Sequence, residues 1–144
     1  MAGAARKGGN TIVINLAYYA HKEIQDPPIY RAIERLLSWA VPVVDSLPKS
    51  LACQTLGGLL IRDLRECLNA VLLGQDTGDV PAKVQCIKVL LTNLTGIRTA
   101  MRVFTGNRYV SVKQEMEFLD LVNPIQIQAA SWLRKWEPAV DDEG

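Results

Sequence analysis

Four stretches of the chain repeat apolar positions at intervals of three and four, the spacing of a helix with one buried face. Ile29, Ile33, Leu36, Leu37, Ala40 and Val44 mark the first, predicted over residues 28–46 after the pair Pro27-Pro28. Pro42 falls inside it and removes a backbone donor, so a kink is expected near its end. Beyond Leu47-Pro48-Lys49, Ser50 is placed as an N-cap, and Leu56, Leu60, Leu64, Cys67, Leu68 and Val71 predict a second helix that stops at Gly74. Asp79 then caps a third, with Pro81 in its first turn, and Val84, Ile87, Leu91, Leu94, Ile97, Met101 and Phe104 carry its apolar face to Gly106-Asn107. Ser111 and Gln114 have the form of a capping box. Met116, Leu119, Val122, Ala129 and Leu133 continue from them as a fourth helix to about Trp136, with a bend expected at Pro124.

Four such helices joined by short turns pack as antiparallel neighbours around one core. The predicted fold is all-α, an antiparallel up-down-up-down four-helix bundle over residues 27–136. Residues 1–26 form an N-terminal extension outside the pattern, with a β-branched start at Thr11-Ile12-Val13-Ile14 and a helix-tolerant run from Leu16 to Glu23. Residues 137–144, with four acids and Pro138, are expected to be a flexible acidic tail. Neither a solenoid repeat nor a sustained heptad is evident, which predicts a globular bundle rather than a long coiled coil.

Composition narrows the class of protein. With 144 residues, 49% of them hydrophobic, the chain is large enough to bury a core without staples. Thr11–Ala20 is too short to span a membrane and Asn15 interrupts it, so an unsecreted, soluble protein is expected. Cys53, Cys67 and Cys86 have neither zinc spacing nor a CxxC arrangement, and three free thiols suit a reducing cytoplasm. No metal or other cofactor is expected.

No catalytic constellation is apparent. His21 is the single histidine and reads as a surface residue of the extension. No Glu-x-x-His occurs, which excludes a ferritin-like di-metal site. Gly57-Gly58 lies within a helix, where small residues permit close packing, rather than in a phosphate loop.

Charge distribution carries more than net charge. The formal net charge is +1, but removing Glu137, Asp141, Asp142 and Glu143 leaves +5 on the rest. Lys83, Lys88, Arg98, Arg102 and Arg108 fall on the third helix and its end without an intervening acid. Lys88, Arg98 and Arg102 lie within an arc of about 80° at about 100° per residue. Such a stripe is either a solvated face, paired with Glu34 or Glu66 on a neighbour, or a surface for phosphates. Trp132 and Trp136 are four apart beside Arg134 and Lys135. These indoles, with Trp39, read as end-packing of the core or as an anchor at a subunit or partner interface.

Pro28-Ile29-Tyr30, Leu47-Pro48-Lys49, Thr55-Leu56-Gly57, Ser111-Val112-Lys113-Gln114 and Gln128 followed by Trp132-Leu133 come in an order and spacing that resembles the Avd-like four-helix-bundle accessory proteins of diversity-generating retroelements. Proteins encoded in intervening sequences of bacterial ribosomal RNA genes are related to that family. The resemblance covers roughly residues 27–136. It implies a non-catalytic cytoplasmic protein that forms a homopentameric ring, binds the element's reverse transcriptase and supports mutagenic complementary-DNA synthesis from a template RNA. The expected nucleic-acid-binding residues are then Lys88, Arg98, Arg102, Arg108, Lys113, Arg134 and Lys135, with Trp132 and Trp136 at a partner interface. Lys49 and Lys113 fall on the family's motifs, at helix junctions. The alternative from another class is a protein-interaction scaffold without nucleic-acid contact.

Overall fold

A computed structural model describes residues 28–143, with side chains described through Pro138. The extension and His21 lie outside the described residues. Among the described residues the secondary structure is entirely helical: α1 (Pro28–Asp45), α2 (Leu51–Asp76), α3 (Val80–Gly106) and α4 (Val112–Glu143). Successive helices pack on one another and α4 returns against α1, which closes the four-helix bundle; the diagonal pairs do not pack.

The helix ends follow the local chemistry of the sequence. Ser50 Oγ accepts the Cys53 amide at 3.2 Å and starts α2, and Asp79 Oδ2 accepts the Ala82 amide at 3.0 Å to start α3. At the start of α4 the box is reciprocal: Gln114 N–H donates to Ser111 Oγ at 3.0 Å, and Ser111 N–H donates to Gln114 Oε1 at 2.9 Å. Pro42 and Pro124 are both exposed within their helices, so the carbonyls they leave without an amide face water.

The buried face differs from the expected one in period. Ile29, Ile33, Leu36, Ala40, Val43 and Leu47 are buried along α1 and its exit, and Cys53, Gly57, Leu60, Leu64, Cys67, Val71 and Gly74 along α2. On α3 the sequence is Ile87, Leu90, Leu94, Ile97, Met101 and Phe104, and on α4 Phe118, Val122, Ile125 and Ala129. Apart from Ala70, Val84 and Ala100, which are also buried, all four alternate steps of three and four, an average of 3.5 residues, which is a heptad-like seam where none was expected. Small and sulfur-bearing residues at seam positions, Ala40, Cys53, Gly57, Cys67, Gly74 and Ala129, conceal it.

Three further expectations are corrected. Met116 is 62% exposed while Phe118 is 2% exposed, so the first turn of α4 is corrected, whereas Val122 and Ala129 are buried as predicted. Leu90, rather than the half-buried Leu91, is the core residue of that turn of α3. Helix α4 also continues through Glu143, beyond the predicted end at Trp136. Contacts at that boundary support the continuation, because Glu137 pairs with Lys88 at 2.9 Å and Trp136 stacks near Lys83.

Candidate functional site

The cations of α3 separate into two groups at opposite ends of the molecule. Toward the α3–α4 hairpin lie Arg98, Arg102 and Arg108, joined across the connection by Lys113 in the first turn of α4. Toward the other end lie Lys83 and Lys88, with Arg134 and Lys135 on α4.

Arg98 is committed to the fold. Its Nε donates to Gln126 Oε1 and its Nη2 to Asn123 Oδ1, both at 2.6 Å, so one guanidinium fastens α3 to two amides a turn apart on α4. Charge-assisted bonds of this kind are stronger than neutral ones. Arg102 is exposed beside it, on the rim of a cleft of about 170 Å³ whose walls include Met101, Phe118 and Leu119. Glu115 shares that cleft and offsets part of the positive charge.

Arg108 has a distinct backbone. Its φ is 64°, in the left-handed region, and it follows Asn107, the last residue of the α3 cap. Arg108 N–H donates to Thr105 carbonyl at 3.0 Å and Tyr109 N–H to Phe104 carbonyl at 2.9 Å, the paired bonds of a Schellman ending. Glycine is the usual occupant of that position, since a Cβ there is penalised. Arg108 and Lys113 are both exposed, and neither their side chains nor that of Arg102 engages a partner among the described residues.

At the opposite end the cations have structural roles. Lys83 Nζ donates to the Gly74 carbonyl at 2.6 Å, which satisfies an orphan acceptor near the C-terminus of α2. Lys88 pairs with Glu137, not with Glu34 or Glu66 as the sequence suggested. Trp136 has Lys83 Nζ 5.5 Å and Lys135 Nζ 5.1 Å from its ring centre. Arg134 is exposed and turned to solvent.

The three indoles are also placed. Trp39 donates from Nε1 to Glu117 Oε1 at 3.2 Å and packs on Phe118 with ring centres 6.1 Å apart, tying α1 to α4. Trp132 and Trp136, half-buried, line a cavity of about 240 Å³ with Val71 and Gly74 of α2 and Cys86 and Leu90 of α3. The sequence pointed to the indoles but not to the cavity they line.

Lys49 Nζ donates to the Asp45 carbonyl at 2.7 Å and so ends α1. Leu47 and Gly57, from two of the motifs that carry the family resemblance, meet in the core: a methyl group on Gly57 would lie 3.1 Å from Leu47 Cδ1.

Cys53, Cys67 and Cys86 are free thiols, with Cys53 and Cys67 buried. Burial, with the nearby charges of Asp63 and Glu66, pushes the Cys67 thiol up to about 12. A thiol so raised stays protonated and is a poor nucleophile. Among the described residues no group of His, Cys, Asp and Glu could hold a metal ion, and no helix is long and apolar enough to cross a membrane.

The fold defines an all-α four-helix bundle, and nothing narrower follows from comparison: no family model, no curated protein and no solved structure matches the chain.

Proposed function

We propose that the protein is a non-catalytic accessory subunit of a diversity-generating retroelement, acting in the cytoplasm as a homo-oligomer, a pentamer in the family it resembles. In this reading it binds the element's reverse transcriptase and holds template RNA or complementary DNA during mutagenic synthesis. The observation that carries the nucleic-acid part is the hairpin end, where Arg102, Arg108 and Lys113 are exposed without partners. A cation held in the left-handed position of Arg108, where glycine costs less, is the kind of local strain that marks functional positions. Phosphate contacts by three such cations would weaken with salt as counterions are released.

The direct test is co-purification of the full chain with the reverse transcriptase and template RNA, comparing the wild type with the triple variant Arg102→Glu, Arg108→Glu, Lys113→Glu. The reading expects the variant to keep its helical circular dichroism and to retain several-fold less RNA, with a shallower salt dependence. Arg98 is unsuitable for that comparison, since its reversal would place a carboxylate against Gln126 and Asn123 carbonyl oxygens. Light scattering of the isolated protein tests the oligomer, and a monomer would count against the family reading.

A second reading has a specific observation in its favour. Lys88 and Arg98, two of the three stripe cations, are engaged by Glu137 and by the α4 amides. That arrangement suits a protein-interaction scaffold without nucleic-acid contact. Unchanged RNA retention in the triple variant, together with intact capture of the reverse transcriptase, would select it.

A further inference from the structure

The cleft of about 170 Å³ between α3 and α4 is not explained by phosphate binding alone. Met101 and Phe118, both 2% exposed, form its floor and Leu119 one side, and it is lined by one charge of each sign, Arg102 from α3 and Glu115 from α4. Arg98, the remaining wall residue, is held by Gln126 and Asn123. Arg102 and Glu115 share the cleft without pairing, and neither side chain has a hydrogen-bond or ion-pair partner among the described residues. Lys88 and Glu137, also on α3 and α4, do close on each other at 2.9 Å.

Glu115 is the informative member. An acid in the first turn of α4 suits the helix dipole. That role is met at full exposure, and it does not account for a half-buried carboxylate in one cleft with an uncommitted guanidinium. Beside Arg102, Arg108 and Lys113, the carboxylate also repels phosphate. Ionised, it only accepts hydrogen bonds, and phosphate oxygens are acceptors as well. A nucleic acid can satisfy it with a ribose hydroxyl or with the N–H groups of a base. A hydroxyl supplies one donor and leaves the apolar walls empty. Two adjacent donors, which a carboxylate takes with both oxygens, occur on guanine, at N1 and N2. The neighbouring edge of guanine carries O6 and N7, the bidentate acceptors of an arginine guanidinium. N1 and N2 lie on the edge used in base pairing, so such a guanine is unpaired. A cavity of about 150 Å³ holds a benzene ring, so the cleft has the size for a base ring inserted from solvent between apolar side chains.

We infer that this cleft takes one unpaired guanine of a single-stranded nucleic acid. Glu115 accepts from N1–H and N2–H, Arg102 donates to O6 and N7, and Met101 and Leu119 bound the ring. Arg108 and Lys113 hold phosphates of the same strand. The inference rests on the nucleic-acid reading above and adds to it a preference for one base.

The experiment measures fluorescence anisotropy of labelled, short single-stranded RNA titrated with the full chain at about 50 mM salt, where phosphate contacts are strong. Oligouridine with one central guanosine is compared with the all-uridine strand and with strands carrying adenosine or inosine at that position. The guanosine strand is expected to bind roughly tenfold more tightly than the uridine and adenosine strands. Inosine lacks the N2 amino group and should recover only part of that gain. Glu115→Gln should erase most of the guanosine preference while tightening the all-uridine strand, because a negative charge leaves a cationic surface. An acid that served only the helix dipole would not produce that split. Equal binding of the guanosine and uridine strands by the wild type overturns the inference and leaves the phosphate reading standing. A guanosine preference that persists in Glu115→Gln also overturns it, since the base then sits elsewhere. Absence of binding to every strand overturns the nucleic-acid reading itself, and this inference with it.

Discussion

Gly57 on α2 lies so close to Val44 on α1 that a methyl group at Gly57 would stand 2.7 Å from Val44 Cγ1. Valine is stiff about χ1, so the clash cannot be relieved by swinging a flexible chain end. The α1–α2 crossing is set by the absence of a side chain at this one position.

Gly58, the next residue, has nothing within 4 Å of where a Cβ would be. Replacement of each glycine by alanine should therefore give opposite results. Gly58→Ala is expected to stabilise the bundle by roughly 0.5–1 kcal/mol through helix propensity. Gly57→Ala is expected to destabilise it by about 1–3 kcal/mol, the range for overpacking a filled core. Urea unfolding followed by circular dichroism reads both, and stabilisation by Gly57→Ala would show that α1 and α2 are not packed as described.

Arg98 provides a second case, in which a charge serves the seam between α3 and α4. Arg98→Met keeps the length of the side chain but removes both bonds to Gln126 and Asn123. A loss of about 2 kcal/mol is expected, in the range for hydrogen bonds to charged groups. The double-mutant cycle with Asn123→Ala should show coupling of about 0.5 kcal/mol or more. Additive effects would mean that the guanidinium and the amide act separately.

Arg108→Gly should raise stability, by about 1 kcal/mol, because it removes a Cβ from the left-handed residue that ends α3. The same substitution removes one exposed cation from the hairpin end. Thermal melting and RNA retention are then expected to move in opposite directions. A variant that gains stability and keeps full retention would separate Arg108 from the proposed nucleic-acid surface.

Cys67 links stability to alkaline pH. Its thiol is raised from 9.0 to about 12 in the folded chain. Between those values the unfolded chain ionises the thiol and the native one does not, so the unfolded state holds fewer protons and is favoured as pH rises. The native advantage is complete below pH 9 and declines by up to about 1.4 kcal/mol per pH unit above it. Cys67→Ala should flatten that part of the stability profile relative to wild type, in addition to a constant cavity cost. Parallel profiles for the two proteins between pH 9 and 11 would contradict the assignment.

How far the sequence could be read depended on which residues made each feature. Helix starts were legible because Ser50, Asp79 and the Ser111/Gln114 pair act within four residues of themselves, through bonds that need no tertiary partner. The core residue of the first turns of α4 was not, since Met116, Phe118, Leu119, Leu121 and Val122 place apolar side chains on several sides of the helix and periodicity cannot choose among them. Tertiary packing, including the contact with Trp39, selects Phe118. The heptad was obscured for a related reason: Gly57 and Gly74 fill seam positions by being small, and hydrophobicity does not register a residue with no side chain. For the site, the α3 stripe was visible as a run of cations without acids. That Arg98 would be taken up by Asn123 and Gln126 was not, although two amides three residues apart on the facing helix, bracketing Pro124 and Ile125, are the pattern that could have signalled it.

The two ends of the bundle differ in chemistry, which gives the molecule a direction. One tip is the cationic hairpin of Arg102, Arg108 and Lys113, and the other is the indole-lined end. Rotation about a single axis never exchanges top and bottom, so a ring whose bundles stand along its axis would gather every hairpin on one face and every indole end on the other. Such a ring would be two-faced, like a washer with one charged side, and anything passing through or across it would meet the two sides in a fixed order.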